Sequence, residues 1–297
     1  MVVVSFVTAG AAIIVGAASC LSFGDLSGGD ADANASEAST AGDASNDDAA
    51  VVPGDAGSDA TADGDGACKG TAGPTQVRVP TPAGETFCID STEVTLGQYE
   101  QFEAAVEAGA PVTQPAPCAF NTSIKTTDSN GDMFTPVDEV NWCDAYAFCA
   151  WAGKRLCGRI GGGSLGSTNI GDPAVSQWMR ACAISPDGGT ENYPYGNSPS
   201  ATACNGTEHD AGGVVDVGSL PRCVGGMPGL FDMSGNVDEW TDGCSTNTGA
   251  DDCCDTRGGG FGDTETPCGI GDMLTGSCTN RTRKDAHTDV GFRCCSD

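Results

Sequence analysis

Residues 229–240 read Gly-Leu-Phe-Asp-Met-Ser-Gly-Asn-Val-Asp-Glu-Trp, and this stretch does more than any other to decide the fold. Its carboxylates Asp232 and Glu239 stand seven residues apart, with a glycine-containing turn between them. Carboxylate and backbone carbonyl oxygens are the hard ligands that calcium prefers. The stretch therefore predicts either a calcium site or a turn in which the Asp232 side chain stabilises the backbone.

The chain around this stretch is strongly acidic. It carries 41 acidic and 13 basic side chains, for a formal net charge of -28. Such a surface repels nucleic acid and anionic lipid, so neither is expected as a partner. It favours solubility and is compatible with divalent cations.

The N-terminus predicts export. Residues 2–18 are apolar but too short to span a bilayer as a permanent helix, and they end at Ala17-Ala18-Ser19-Cys20. Residues 1–20 therefore resemble a cleaved bacterial lipoprotein signal with Cys20 as the lipidated residue, although Lys69 is the first basic residue. The alternative is a buried strand. We expect anchoring to the bacterial outer membrane or cell surface.

Residues 21–67 have the composition of a tether. They consist mostly of Asp, Ala, Gly and Ser, with eleven acidic residues and no basic ones. Such a segment buries too little apolar surface to fold, so we expect a disordered linker with a reach of roughly 35–40 Å. An aspartate-rich metal-binding tract is the alternative. The only membrane contact expected is through the lipid anchor.

The cysteine content predicts an oxidised domain over residues 68–297. The chain has 17 cysteines, and sixteen remain when Cys20 is set aside. That number in an exported chain indicates disulfides, and no Cys-x2-Cys spacing indicates zinc. The connectivity does not follow from the sequence.

Regular secondary structure is predicted to be sparse. Helices are expected from the caps Thr95 (ending near Gly109), Asn141 (ending at Gly153) and Asp172, which precedes a proline. Short strands are expected at residues 76–79, 86–89, 257–261 and 290–294. The predicted class is α+β, disulfide-rich and irregular.

Motifs along most of this domain resemble the formylglycine-generating-enzyme (sulfatase-modifying factor) family. They are FCID at 87–90, EVT at 93–95, PV at 136–137, NW at 141–142, AWAGKRL at 150–156, QW at 177–178, RAC at 180–182, YPYGN at 193–197, GLFDMSGNVDEW at 229–240, RGG at 257–259 and GFRC at 291–294. The resemblance implies an irregular α+β fold related to C-type lectins.

The resemblance also implies calcium. The first site would use the side chains of Asp232 and Glu239 with the carbonyls of Gly235 and Val237. A looser second site would involve the following residues: Asn205, Gly206 and Asp210.

Disulfide positions carry over in the same way. The resemblance implies a bridge between Cys149 and Cys294. It also implies that Cys182 pairs at a new position, because Arg283 stands where the family has the partner cysteine.

The family binds copper(I) through two cysteines after the Arg-Gly-Gly motif and uses oxygen to convert a substrate cysteine to formylglycine. Soft thiolates suit that ion, and the resemblance assigns the role to Cys268 and Cys278. The chain departs from the pattern: nine residues separate the two cysteines, Gly260 replaces a serine, and no histidine adjoins Cys268. A structural disulfide is the alternative for these cysteines.

Two functional hypotheses follow. The first is a copper- and oxygen-dependent oxidoreductase acting on a cysteine-containing polypeptide at the cell surface. The second is a non-catalytic, calcium-stabilised, lectin-like module that binds an unidentified surface ligand.

Overall fold

The computed structural model describes residues 68, 70–128, 132–209, 211–264, 267–268 and 281–297. The chain divides into two units, residues 1–61 and 62–297, and every described residue belongs to the second. The predicted signal, Cys20 and the acidic linker lie outside the described residues. Within the described part, none of the helices has the length and apolar character needed to cross a membrane.

Helices α1 (Leu96–Glu107) and α2 (Trp142–Trp151) begin where their caps predict. The Thr95 side chain accepts the backbone N–H of Gln98, and the Asn141 side chain accepts that of Asp144. In both helices the third residue also bonds back to the cap backbone, which completes a capping box. Local sequence is therefore sufficient to start these two helices.

Helix α3 (Gln177–Ala183) corrects the prediction that Asp172 is a helix cap. Its cap is Ser176, whose hydroxyl accepts the N–H of Met179 at 3.3 Å. The Asp172 carbonyl accepts the N–H groups of Val175 and Ser176, so residues 172–175 form a turn instead. The turn precedes an isolated β-bridge between Arg159 and Ser176, and this tertiary contact holds the backbone extended before the helix begins.

The strands form two small sheets. One has the order β1-β2-β7-β3 and the other β5-β4-β6. Their bounds are β1 Gln76–Pro80, β2 Thr86–Asp90, β3 Arg155–Leu156, β4 Asp238–Cys244, β5 Cys254–Arg257, β6 Val290–Phe292 and β7 Cys294–Ser296. The first sheet is antiparallel, whereas β6 pairs with β4 in parallel.

Two strand predictions are wrong in extent. The strand expected at 290–294 is divided at Arg293, because β6 joins one sheet and β7 joins the other. The strand expected at 257–261 ends at Arg257, since Gly258 and Gly259 adopt φ values of +103° and +72°. Strand β4, which begins inside the 229–240 stretch, was not predicted.

The two larger of the three hydrophobic clusters include residues of the strands next to Arg293. In the first, Tyr99 and Phe102 of α1 pack against Phe148 of α2 and Phe292 of β6, with ring centroids 5.4–6.3 Å apart. The second cluster is built around Trp178 of α3.

Seven disulfides staple the described residues, which confirms the disulfide-rich α+β prediction. They are Cys68–Cys88, Cys118–Cys143, Cys149–Cys294, Cys157–Cys295, Cys182–Cys268, Cys204–Cys223 and Cys244–Cys254. Cys253 is disulfide-bonded as well. The Cys149–Cys294 bridge that the family resemblance implies is present and joins α2 to β7.

Candidate functional site

The part of the 229–240 stretch that precedes β4 is a mostly buried loop, and several of its residues have left-handed backbone conformations. Asp232, Gly235 and Asn236 have φ values of +56°, +77° and +67°. A Cβ atom on Gly235 would lie 2.6 Å from the Asn205 carbonyl oxygen, so only glycine fits there. The loop turns sharply and enters β4 with Glu239 buried.

Glu239 is bound by a single arginine. Arg293 Nε lies 2.9 Å from Oε1 and 2.7 Å from Oε2, and Arg293 Nη2 lies 2.7 Å from Oε1. The Trp178 indole N–H donates to Oε2 at 2.7 Å. Both carboxylate oxygens of Glu239 are therefore occupied by protein donors.

Arg293 also holds the loop itself. Its Nη2 donates to the carbonyls of Phe231 and Asp232 at 3.0 and 3.1 Å, and its Nη1 donates to the Asp90 carbonyl at 3.1 Å. All of these groups are buried or nearly so. The residue that divides β6 from β7 thus ties the 229–240 stretch to both sheets.

Two further acids share this centre. Asp232 accepts the N–H of Gly218 at 2.6 Å, and Glu93 accepts the side-chain N–H of Asn236 at 3.2 Å. Burial raises the pKa of Asp232 to about 6. Burial and the neighbouring Asp232 charge raise the pKa of Glu93 well above its usual value, which favours the neutral form of Glu93.

The predicted first calcium site does not fit this geometry. The structure does bring Asp232, Gly235, Val237 and Glu239 into one loop, but the Arg293 guanidinium takes the Glu239 oxygens that the ion would need. In the part of the chain that is described, no three or more His, Cys, Asp or Glu residues are grouped so as to hold a metal. Among the described residues the positive charge of this centre comes from Arg293, and calcium on the predicted ligand set stays a prediction.

The second predicted site is only partly described, because Asp210 lies outside the described residues. The Asn205 amide nitrogen donates to the Gly213 carbonyl and to the Asn236 side chain, both at 3.0 Å. Gly206 donates its N–H to the Cys204 carbonyl. Asn205 therefore braces the 229–240 loop, and calcium at this position stays a prediction.

The predicted copper pair is wrong for Cys268. Its sulfur is bonded to that of Cys182 at 2.12 Å, and the bridge is buried between α3 and the chain after β5. A disulfide sulfur is not a thiolate, so it cannot bind copper(I). Cys278 lies outside the described residues. Cys182 therefore pairs at a new position, as the family resemblance implies. Arg283, which stands where the family has the partner cysteine, is buried, and its guanidinium carbon lies 4.2 Å from the centre of the Trp142 ring.

An open cavity of about 410 Å³ lies beside the Arg-Gly-Gly turn. Phe261 follows that turn and lines one part of the cavity, and Asp138 lines another. Sequence reasoning missed Asp138, Glu93 and Arg293. Glu93 and Arg293 belong to the EVT and GFRC motifs, but their partners Asn236 and Glu239 lie far away in the sequence, so no local signal marks these contacts.

Comparison with known proteins identifies the family. The family model described as "Sulfatase-modifying factor enzyme 1-like domain" matches residues 35–297. The chain is 30% identical over 190 residues to the formylglycine-generating enzyme of Thermomonospora curvata, covering 54% of this chain and 55% of that protein. It is 31% identical over 174 residues to inactive C-alpha-formylglycine-generating enzyme 2 of Bos taurus, covering 54% and 50%.

Other similarities are shorter or more distant. A hercynine oxygenase of Mycolicibacterium thermoresistibile is 32% identical over 107 residues, which is 36% of this chain and 20% of that protein. The crystal structure of CarF superposes with a TM-score of 0.47 at 21% identity, covering 77% of this chain and 96% of that one. The chain spans about half the length of the formylglycine-generating relatives it matches. Because the family model covers most of its residues, the chain belongs to the sulfatase-modifying factor (formylglycine-generating enzyme) family.

Proposed function

We propose that this chain is an exported, lipid-anchored binding module of the family that does not generate formylglycine. The observation that carries the proposal is the Cys182–Cys268 disulfide. The copper oxidase chemistry expected from the family resemblance needs two thiolates, and Cys268 is one of the two cysteines that the sequence assigned to it. With that sulfur in a bridge, the pair is incomplete.

Sequence similarity alone does not decide between the two hypotheses. The relatives include one protein named a formylglycine-generating enzyme and another named an inactive one, at 30% and 31% identity. Fold and family membership do not imply activity. The proposal therefore rests on the chemistry of Cys268.

The architecture also suits a structural and binding role. The centre that the sequence assigned to calcium is filled by the Arg293–Glu239 pair, which stabilises the loop and leaves both Glu239 oxygens occupied. Seven described disulfides supply further rigidity. What remains open to a ligand is surface and cavity, including the cavity beside Phe261.

Export is supported by the disulfides. Fifteen cysteines of the described residues are in disulfide bonds, a state that persists in oxidising compartments. Together with the lipoprotein-like residues 1–20, this supports display at the bacterial outer membrane or cell surface. Fatty-acid labelling of full-length chain and of Cys20→Ala in cells should mark only the first, and equal labelling of both would refute the anchor.

The catalytic question is tested by an oxidase assay. The purified full chain is incubated with copper, oxygen, a reductant and a cysteine-containing sulfatase-type peptide, with the Thermomonospora curvata enzyme as the positive control. We expect aldehyde product, measured by mass spectrometry, only with the control enzyme. Conversion by this chain that disappears in Cys268→Ser would overturn the proposal.

Thiol counting gives a second measurement on the same samples. The denatured but unreduced chain should show no free thiol among its cysteines in residues 68–297. Detection of a Cys268 thiol, together with stoichiometric copper binding, would restore the oxidase hypothesis.

A further inference from the structure

The cavity beside the Arg-Gly-Gly turn has the chemistry of a cation site. It is lined by the following residues: Asp132, Thr135, Asp138, Gly212, Gly213, Val214, Phe261 and Thr288. They come from four stretches of the chain: the loop before α2, the loop before β4, the residues after β5 and the residues before β6. None of these lining residues belongs to a helix or strand.

Asp138 is the unusual member of this lining. Only 2% of the residue is exposed, and its Oδ1 atom is buried without a hydrogen-bond partner among the described residues. A buried carboxylate oxygen without a donor is costly. A ligand that brings a positive charge and N–H donors into the cavity would remove that cost.

The charges around Asp138 have the same sign. Burial raises its pKa to about 8, with further increases from the nearby carboxylates Asp128, Glu139 and Asp289. Asp289 is itself paired with Arg281 at 3.1 Å, and Asp132, which lines the cavity, is exposed. The domain as a whole carries 30 acidic and 13 basic side chains over residues 68–297. Its field attracts cations toward this opening.

The shape of the cavity favours an organic cation over a metal ion. A volume of about 410 Å³ exceeds what a single ion needs, and only two carboxylates line it. Calcium takes six to eight oxygen ligands, roughly, in its protein sites. Half-buried Phe261 offers an aromatic ring, which attracts an ammonium group by a cation–π interaction.

We propose that this cavity binds the ammonium group of a lysine side chain on a basic polypeptide, with Asp138 as the pairing carboxylate and Phe261 as the aromatic contact. The proposal deepens the binding-module function and rests on it for its biological meaning. Its test is separate, because lysine binding is measured without reference to oxidase activity.

The experiment titrates the full chain with two capped peptides, each having one lysine among glycines, by isothermal calorimetry. In one peptide the lysine is free, and in the other its side chain is acetylated, which keeps the shape but removes the charge. We expect one-to-one binding of the free lysine peptide and none of the acetylated peptide. Equal binding of both, or binding of neither, would overturn the proposal.

Point variants test whether Asp138 forms the lysine-binding site. Asp138→Asn should weaken binding of the free lysine peptide about tenfold or more, because it removes the carboxyl group that a bound ammonium would hold in its ionised form. Glu100→Gln, which removes one negative charge from an exposed position on α1, should leave the affinity unchanged. Equal losses in both variants would indicate a general field effect and would refute the site.

Circular dichroism checks that Asp138→Asn is folded. A second variant keeps the proposal testable if Asp138→Asn is not. Phe261→Leu keeps the apolar lining but removes the ring, and it should weaken binding a few-fold. An unchanged affinity in Phe261→Leu contradicts the cation–π contact. Calcium that binds in an Asp138-dependent manner and competes with the lysine peptide would show that the cavity is a metal site, and would overturn the assignment to lysine.

Discussion

Arg293 of the GFRC motif and Glu239 of the GLFDMSGNVDEW motif form a fully buried ion pair. Three nitrogen–oxygen contacts of 2.7–2.9 Å join them, although they lie 54 positions apart in the chain. Neither side chain is exposed. The pair fixes the 229–240 loop at the point where β6 and β7 separate into different sheets.

Arg293→Lys should strongly destabilise the domain. A lysine cannot reproduce the planar fork that contacts both Glu239 oxygens, and breaking a buried pair costs about 3–5 kcal/mol. Arg155→Lys is the matched control, because its pair with Asp297 is partly exposed and contributes about 0–1 kcal/mol. Urea unfolding of the oxidised chain measures both. Similar losses in the two variants would contradict the central role of Arg293.

Gly235→Ala should destabilise the domain more than Gly84→Ala. Both glycines have positive φ, +77° and +86°, so both variants suffer about 1–2 kcal/mol of backbone strain. Only Gly235 would also place a Cβ within 2.6 Å of the Asn205 carbonyl oxygen, whereas Gly84 has open space around it. We expect a further loss of about 1–3 kcal/mol for Gly235→Ala in the same unfolding measurement. Equal losses would mean that the loop can move away from Asn205.

The thermal midpoint should fall as the pH rises from about 4 to about 6. Burial raises the pKa of Asp144 to about 6, and the pKa values of Asp90 and Asp232 move in the same direction. A raised carboxyl pKa favours the folded state when the group is protonated. That contribution is complete below the unfolded pKa of about 3.8 and is lost as the pH passes 6.

The variant Asp144→Asn tests the contribution of one of these carboxyls. The thermal midpoint of this variant should decrease less between about pH 4 and about pH 6 than that of the unchanged chain. Weaker hydrogen bonds to Asn121 and Asn141 would lower the midpoint at every pH, which does not alter this difference in slope. Glu100→Gln, at an exposed position, should leave the slope unchanged. A midpoint that rises over this pH window would contradict the prediction.

A calcium chelator should leave the thermal midpoint of the full chain unchanged, because Arg293 and Trp178 already saturate the Glu239 oxygens. Differential scanning calorimetry with and without added calcium makes the comparison. A decrease that calcium reverses and Asp232→Asn abolishes would contradict the Arg293-centred description. A decrease that persists in Asp232→Asn would locate a calcium ion elsewhere, with the Asn205 loop as the first candidate.

Local chemistry made several features predictable. Thr95 and Asn141 cap their helices through partners within three residues, so the sequence suffices to place those helix starts. Asp172 also looked like a cap, yet α3 begins after Ser176, because pairing with Arg159 holds the backbone extended until that residue. Local propensity fails where a tertiary contact competes with it.

In the candidate site too, the sequence predicted which segments matter but not which residues they contact. The sequence marked the 229–240 stretch as important, and the structure brings its acids together, but the partner of Glu239 turned out to be Arg293 instead of an ion. The residues after the Arg-Gly-Gly motif were expected to supply copper ligands, and Cys268 is instead bonded to Cys182 on α3. Both of these partners are distant in the chain, at separations of 54 and 86 positions.

The sequence by itself indicated a calcium site or a turn between Asp232 and Glu239, a disulfide-rich α+β domain, and membership of this family. Those properties depend on composition, residue order and short-range hydrogen bonds. Only the tertiary structure decided what Asp232 and Glu239 contact, since Arg293 reaches the loop from another sheet. The physical reason is that a buried carboxylate needs a positive charge or a proton, and folding alone selects which group supplies it.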